Sequence, residues 1–240
     1  FMIGACLSQG RAQTKSAVSY KNPVVDIAMP DPTVIKAADG YFYVYATEST
    51  RNVPIMKSKD LVEWTYCNTA FTNKTRPRFE PKAGIWAPDI NYINGKYVLY
   101  YAMSVWGGEQ TCGIGVATAN SPQGPFTDHG KMFRSNEIGV QNSIDPSLLQ
   151  YEGRNYLVWG SFRGIYVIEL TTDGLSIMPG AKKKRIAGTA FEAVYIHKHD
   201  DYYYMFASIG SCCQGVKSTY KVVVGRSKKV WGPVSYTHLR

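Results

Sequence analysis

The chain has 240 residues, 45% apolar and 19% charged, a balance that excludes a disordered protein and allows a large buried core in one domain or two. A formal charge of +9 permits a nucleic-acid partner, but the dense basic run Lys182-Lys183-Lys184-Arg185 has no nucleic-acid motif around it and reads as a solvated turn, open to mild attraction by an acidic polymer. No apolar run reaches the roughly 18 residues of a membrane span, and Cys6, Cys67, Cys112, Cys212 and Cys213 have neither zinc-finger nor CxxC spacing.

Residues 1–21 read as the remnant of an export signal followed by a linker: apolar and small at first, then polar. Ile3-Gly4-Ala5-Cys6 loosely resembles a bacterial lipoprotein box, which would lipidate Cys6; ordinary cleavage near Ala12 is the other reading. Both place the protein outside the cytoplasm of a bacterium, in the periplasm, in the medium or lipid-anchored at the envelope.

From residue 31 a hairpin is written four times. Asp31-Pro32-Thr33-Val34-Ile35, Ala87-Pro88-Asp89-Ile90-Asn91, Asp145-Pro146-Ser147-Leu148-Leu149 and Glu192-Ala193-Val194-Tyr195-Ile196 each lead through a turn at Gly40, Gly95, Gly153 or Asp200 into an aromatic-rich strand that ends in small residues. After each hairpin comes a further strand: Ile55–Ser58, Gly113–Ala117, Ile165–Ile168 and Val222–Gly225. Each unit therefore has three or four strands, and no convincing amphipathic helix interrupts them. An all-β propeller is expected, each blade one sheet around a central channel. A β-sandwich would not require the same hairpin four times.

In a propeller the inner strands all begin at one end of the channel. The repeat thus predicts that Asp31, Asp145 and Glu192 meet there at equivalent positions, and proline suits a strand's first residue, where its missing N–H matters least. Three carboxyls in one pocket repel, so at least one should hold its proton into the neutral range and act as an acid while a partner acts as a base. Glycoside hydrolysis needs that division. In its inverting form acid and base stand roughly 6.5–9.5 Å apart with a water between. A calcium site is the competing use of clustered acids, but the DxDxDG-type spacing is missing, and single acids at strand starts also cap backbone amides.

These residues resemble glycoside hydrolase family 43. The likeness rests on Asp31-Pro32, the Ser-Ile-Asp-Pro-Ser around Asp145 and the Phe-Glu-Ala-Val around Glu192. Ile85-Trp86-Ala87-Pro88-Asp89-Ile90, Gly160-Ser161-Phe162, the segment from Ser208 to Tyr220 and Val224-Gly225-Arg226-Ser227 are similar to the arabinanases of that family. The resemblance covers residues 22 to about 233 and implies a five-bladed, inverting enzyme acting on plant arabinan or arabino-oligosaccharides. It implies Asp31 as general base, Glu192 as general acid, and Asp145 as the group that orients the acid and modulates its pKa. Trp86 and Trp106 become sugar-stacking candidates, Asn142 and Ser143 rim residues, and Asp89 a supporting or structural acid. No cofactor is needed for the chemistry, although full-length members leave room for a calcium-like ion in the channel, helped by a histidine of the last blade. His129, His197 and His199 are not in that context.

The chain supplies four of the family's five blades, within residues 22–233, and residues 234–240 read as an atypical tail in which His238 is given no function. An unclosed propeller would expose strand edges, so reduced stability or activity is part of this reading. An exo-acting arabinofuranosidase or β-xylosidase on the same scaffold is the nearest alternative, and a non-catalytic carbohydrate-binding propeller is the alternative of a different class. A retaining sucrose- or fructan-cleaving propeller fits less well, because its Asn-Asp-Pro-Asn-like motif is not matched around Asp31.

Overall fold

In a computed structural model, residues 19–231 and the strand at 235–237 are described. The expectations placed on residues 1–18, Cys6 among them, and on His238 lie outside that range. Four antiparallel sheets follow one another along the chain, each with its strands in sequence order. Blade 1 holds β1 (Thr33–Lys36), β2 (Phe42–Tyr45), β3 (Pro54–Ser58) and β4 (Trp64–Thr69). Blade 2 holds β5 (Gly84–Ile93), β6 (Lys96–Ser104), β7 (Gly113–Ala119) and β8 (Thr127–Arg134), followed by the single-turn helix α1 (Ser135–Ile138). Blade 3 holds β9 (Ser147–Tyr151), β10 (Arg154–Trp159), β11 (Ile165–Glu169) and β12 (Lys184–Ala187). Blade 4 holds β13 (Glu192–His199), β14 (Tyr202–Ile209), β15 (Lys221–Ser227) and β16 (Ser235–Thr237).

Each blade has four strands, and the fold is the propeller that the repeated hairpin implied. One boundary differs. Ser235–Thr237, set apart by sequence as a tail, pairs antiparallel with Val224–Arg226 and supplies the outer strand of blade 4. The segment lacks the apolar alternation of the earlier strands, so only its backbone pairing marks it.

The apolar cores lie between blades, and side-chain alternation builds them. On β6, Tyr97, Leu99, Tyr101 and Met103 face blade 1, where they meet Tyr43, Tyr45, Ile55 and Phe71. The intervening Val98 and Tyr100 face blade 3, where they meet Leu157, Trp159 and Ile168. A strand sandwiched on both faces must be apolar at every position, which is why Tyr97 to Met103 reads as an unbroken run. Between blades 3 and 4, Leu149, Val158 and Val167 pack on Val194, Ile196 and Met205. Tyrosines can be buried here because their hydroxyls find acceptors. Tyr100 donates to the Gly174 carbonyl at 2.8 Å, Tyr101 to Asp128 Oδ1 at 2.5 Å, and Tyr45 to the Pro122 carbonyl. The free thiols of Cys67 and Cys112 are far from the bonded pair Cys212–Cys213 in sequence and make no link between blades.

Leu99 has no exposed surface at the junction of blades 1 and 2. Leu99→Ala is expected to cost about 2–5 kcal/mol, read as a lower midpoint in urea denaturation. Val34→Ala, at a half-exposed position of β1, should cost well under half as much.

Candidate active site

The inner strands start from backbone corners of one kind. Asp31, Ala87 and Asp145 adopt left-handed conformations with φ of 49°, 42° and 57°, and each is followed by proline. In blade 4 the left-handed residue is Ala193, with φ of 51°, and not Glu192. The ladders agree. Pairing in blade 4 breaks between Glu192, opposite Ser208, and Tyr195, opposite Phe206; in blade 2 it breaks between Trp86, opposite Ala102, and Asp89, opposite Tyr100. Glu192 therefore stands where Trp86 stands, one residue ahead of the position held by Asp31, Ala87 and Asp145. The expected equivalence of the three acids is corrected on this point: blades 2 and 4 break their ladders alike, and in blade 4 the acid precedes the left-handed corner at Ala193 instead of occupying it.

The carboxyls nonetheless converge on one mouth of the channel, and each is held differently. Asp31 is exposed, and its Oδ2 accepts a 2.5 Å hydrogen bond from the Thr47 hydroxyl. The same Thr47 oxygen accepts the Ala87 backbone N–H at 2.7 Å, so the single Thr47 proton is directed at Asp31. Glu192 is buried, and its Oε2 accepts from Ser161 Oγ at 2.7 Å. Asp145 is half-buried as a residue and near enough to both for their charges to act on its carboxyl. Burial is the main cause that pushes it well above the usual carboxylate range, the negative charges of Glu192 and then Asp31 add to the push, and only the Ala193 N–H opposes it. Among the described residues no Lys, Arg or His is ion-paired with any of the three. The pocket therefore retains a proton at a pH where separate carboxyls have lost theirs.

Trp86 and Trp106 lie side by side, ring centroids 5.6 Å apart and planes inclined at 52°. Trp86 rests on Ala102, Cys112 and Ile144, the last of these adjoining Asp145, which puts the indole next to the mouth. Gly84 makes that placement possible, since a Cβ there would come within 2.3 Å of Trp86 Nε1. Trp106 is 78% exposed, an unusual state for so large an apolar ring and one suited to a sugar face. Asn142 is half-buried; its side-chain amide donates to the Ser161 carbonyl at 3.1 Å and so braces the residue that holds Glu192.

Ser143 is not a rim residue. It is fully buried, its hydroxyl donates to the Val140 carbonyl at 2.8 Å, and it accepts from Trp159 Nε1 at 3.1 Å. The turn from left-handed Asn142 sends the next side chain inward. Asp89 is buried among the inner strands of three blades. It accepts the Leu148 N–H of blade 3 and the Asn91 amide, both at 2.7 Å, and Thr33 of blade 1 at 3.4 Å. Burial raises its pKa to about 6 against the pull of those three donors. His197 and His199 lie at the far end of β13, with His199 beside Asp200 in solvent.

Sequence reasoning did not single out Thr47, Ser208 or Tyr220, and Ser161 entered only as part of a motif. The signal available was weak: Thr47 and Ser161 both end the second strand of a hairpin, where small residues recur. Tyr220 closes the long segment after β14, and burial, with the charges of Glu192 and Asp145 adding to it, raises the pKa of its hydroxyl.

The glycosyl hydrolases family 43 matches residues 20–239. The chain belongs to that family. It is 38% identical over 217 residues to the extracellular endo-alpha-(1->5)-L-arabinanase 1 of Bacillus subtilis, covering 85% of this chain and 66% of the relative. Identity to the extracellular exo-alpha-(1->5)-L-arabinofuranosidase ArbA of Cellvibrio japonicus is 35%, over 85% of this chain and 65% of the relative. The chain thus spans just under two thirds of the length of these two relatives. Among solved structures, the Cellvibrio cellulosa alpha-L-arabinanase complexed with arabinohexaose superimposes with a TM-score of 0.76 at 31% identity, over 87% of this chain and 73% of that one.

The channel ion that family 43 membership leaves open finds no donor set here. Among the described residues no three of His, Cys, Asp and Glu gather in a way that could hold a metal, and the Asp89 oxygens are already taken by Leu148, Asn91 and Thr33. These residues do not fit such an ion, and no step below runs through one.

Because Asp145 is harder to ionise in the folded chain than in the unfolded one, its burial costs little below the ordinary aspartate pKa of about 3.9. Above it the unfolded chain gains by ionising and the folded chain does not, so stability falls as pH rises. Asp145→Asn keeps an acceptor for Ala193 N–H and removes that loss. Its melting temperature should exceed that of the unsubstituted protein by roughly 2–6 °C at pH 8 and by much less at pH 4. Equal melting temperatures at both pH values would contradict the assignment.

Proposed function

We propose that this protein hydrolyses α-1,5-linked L-arabinan with inversion at the anomeric carbon, cutting within the chain. The observation that carries the reading is the unequal treatment of three carboxyls at one mouth. Asp31 is open to solvent and oriented by Thr47, as a base that draws a proton from water must be. Glu192 is buried and hydrogen-bonded through one oxygen to Ser161, which leaves the other for the proton it gives to the departing sugar oxygen. Asp145, close to Glu192, keeps its own proton above the usual carboxylate range, so it stands by the acid without adding a second negative charge.

The sequence of events follows. The Asp31 carboxylate takes a proton from a water as that water's oxygen bonds to the anomeric carbon. The bond to the glycosidic oxygen breaks on the opposite face, and Glu192 protonates that oxygen. Trp86 and Trp106 offer an aromatic surface leading away from the mouth, and the exposure of Trp106 supports an open cleft that admits a chain from either side. Exo action is the second reading, favoured by the likeness to a Cellvibrio japonicus exo-acting relative and to an exo-1,5-alpha-L-arabinanase from a bovine ruminal metagenomic library. Two relatives named as extracellular support action outside the cell.

Proton NMR in the first minutes of hydrolysis should show arabinofuranose of inverted configuration; retention would remove Asp31 from its role. Linear arabinan should release oligosaccharides ahead of arabinose, and arabinose alone from the start would select the exo reading. Asp31→Ala should lower kcat/KM by roughly 10²–10⁴-fold on every substrate, whereas Glu192→Ala should do so on arabinan and spare much of the rate on an aryl glycoside whose phenolate leaves unaided.

A further inference from the structure

Trp106 is carried by the excursion between β6, which ends at Ser104, and β7, which begins at Gly113. The excursion folds back on itself: Gly108 N–H donates to the Val105 carbonyl at 2.9 Å, and the Thr111 and Cys112 N–H groups donate to the Gly108 carbonyl at 3.1 and 2.9 Å. Trp106 stands near its tip in solvent, against Trp86. Glu109 lies three residues further on, and its side chain leaves blade 2 altogether.

Arg163 meets it from blade 3. The Arg163 Nε–H and Nη2–H donate to Oε2 and Oε1 of Glu109 at 2.9 and 2.8 Å, a two-pronged contact that fixes direction as well as distance. The remaining nitrogen, Nη1, donates to the Phe162 carbonyl at 3.1 Å, so the plane of the guanidinium has one orientation. The backbone repeats the tie. Asn142 N–H donates to the Glu109 carbonyl at 2.7 Å while its side-chain amide holds the Ser161 carbonyl.

Arg163 belongs to the turn at 160–164 that seats the acid. The turn is narrow: a Cβ on Gly160 would fall 2.3 Å from the Gly164 carbonyl oxygen. Ser161 pairs with Glu192 as an antiparallel bridge and donates to its carboxyl, and Phe162 N–H donates to the Phe191 carbonyl at 2.9 Å. The ion pair thus joins the loop that carries the exposed indole to the turn that carries the seat of Glu192. Its side chains are 43% and 36% exposed, and pairs so open to water add little to stability. Placement is what a fork between two loops supplies.

We propose that Arg163 is a positioning residue for the polymer. Paired with Glu109, it sets the span from the Trp106 ring to the Glu192 carboxyl, so a sugar stacked on Trp106 brings the scissile bond into register with the acid. The inference rests on the functional reading above. It predicts a dependence on substrate length, because only a chain that reaches Trp106 can use the span.

The test compares Arg163→Ala and Arg163→Lys, which keeps the charge and loses the fork, on a long arabino-oligosaccharide and on an aryl arabinofuranoside whose one sugar fills the mouth. On the oligosaccharide kcat should fall about 3–10-fold in Arg163→Ala and less in Arg163→Lys, with KM little changed. The aryl substrate should be turned over as before. In a Trp106→Ala background Arg163→Ala should cost nothing further, since the two residues act as one unit. If Arg163→Ala melts early, Glu109→Gln, which removes the charge and keeps the bulk, carries the same comparison. Equal losses on both substrates would show a merely structural role, and a raised KM with unchanged kcat would put Arg163 on the sugar itself. Either result overturns the proposal, as would losses that multiply with Trp106→Ala, or unaltered kinetics in Arg163→Ala. Failure of the unsubstituted protein to cleave arabinan, or indifference to Glu192→Gln, would instead bring down the functional reading and this inference with it.

Discussion

The left-handed corner at the head of each inner strand is the constraint on which the site depends. A non-glycine residue in that conformation costs about 1–2 kcal/mol, and the chain accepts the cost at Asp31, Ala87, Asp145 and Ala193. The corner turns a side chain and an amide into the mouth together, and the blades use them alternately. Blades 1 and 3 present a carboxyl, from Asp31 and Asp145. Blades 2 and 4 present a backbone N–H: Ala87 to the Thr47 hydroxyl that holds Asp31, and Ala193 to Asp145. Each strained corner of one pair thus orients an acid of the other, and burial of the strands on both faces offsets the strain.

That arrangement explains which features the sequence disclosed. The dipeptides Asp31-Pro32, Ala87-Pro88 and Asp145-Pro146 mark corner and strand in one stroke, so the blade count, the shared mouth and two of the acids could be read directly. Blade 4 has no proline after its corner, and the acid in Glu192-Ala193 invites alignment one residue out of place. Which residue takes the left-handed corner is a backbone property that periodicity does not report. Ser143 was misplaced for a related reason: adjacency to Asp145 suggests the rim, but a reversal at Asn142 decides which way each side chain points. Thr47 and Ser161 act through contacts made by tertiary packing. A hydroxyl at the end of a strand carries no mark of the carboxyl it will meet.

Charge explains the rest of the design. Three carboxyls with no paired cation would be a poor structural device, since nothing but hydrogen bonds compensates their burial. The exposure of Asp31, the burial that holds a proton on Asp145 and the hydroxyl-braced burial of Glu192 give the three carboxyls unequal surroundings, and that asymmetry is the useful property. Asp89 shows the contrast. It too is buried, yet its donors come from three blades, and it acts as a knot between inner strands.

The two walls of the mouth also differ in stiffness. On the base side, Glu48 and Arg76 form a buried ion pair that also gathers the backbone of Asn52, Ala83 and Ile85, just ahead of Trp86 and Ala87. On the acid side, Tyr220 hangs from an exposed loop whose neck is two hydrogen bonds wide. Amides around Ile85 are therefore expected to exchange with solvent deuterium more slowly than those of 211–219. On the proposed reading, the wall beside the acid is the looser of the two and the wall beside the base the more rigid.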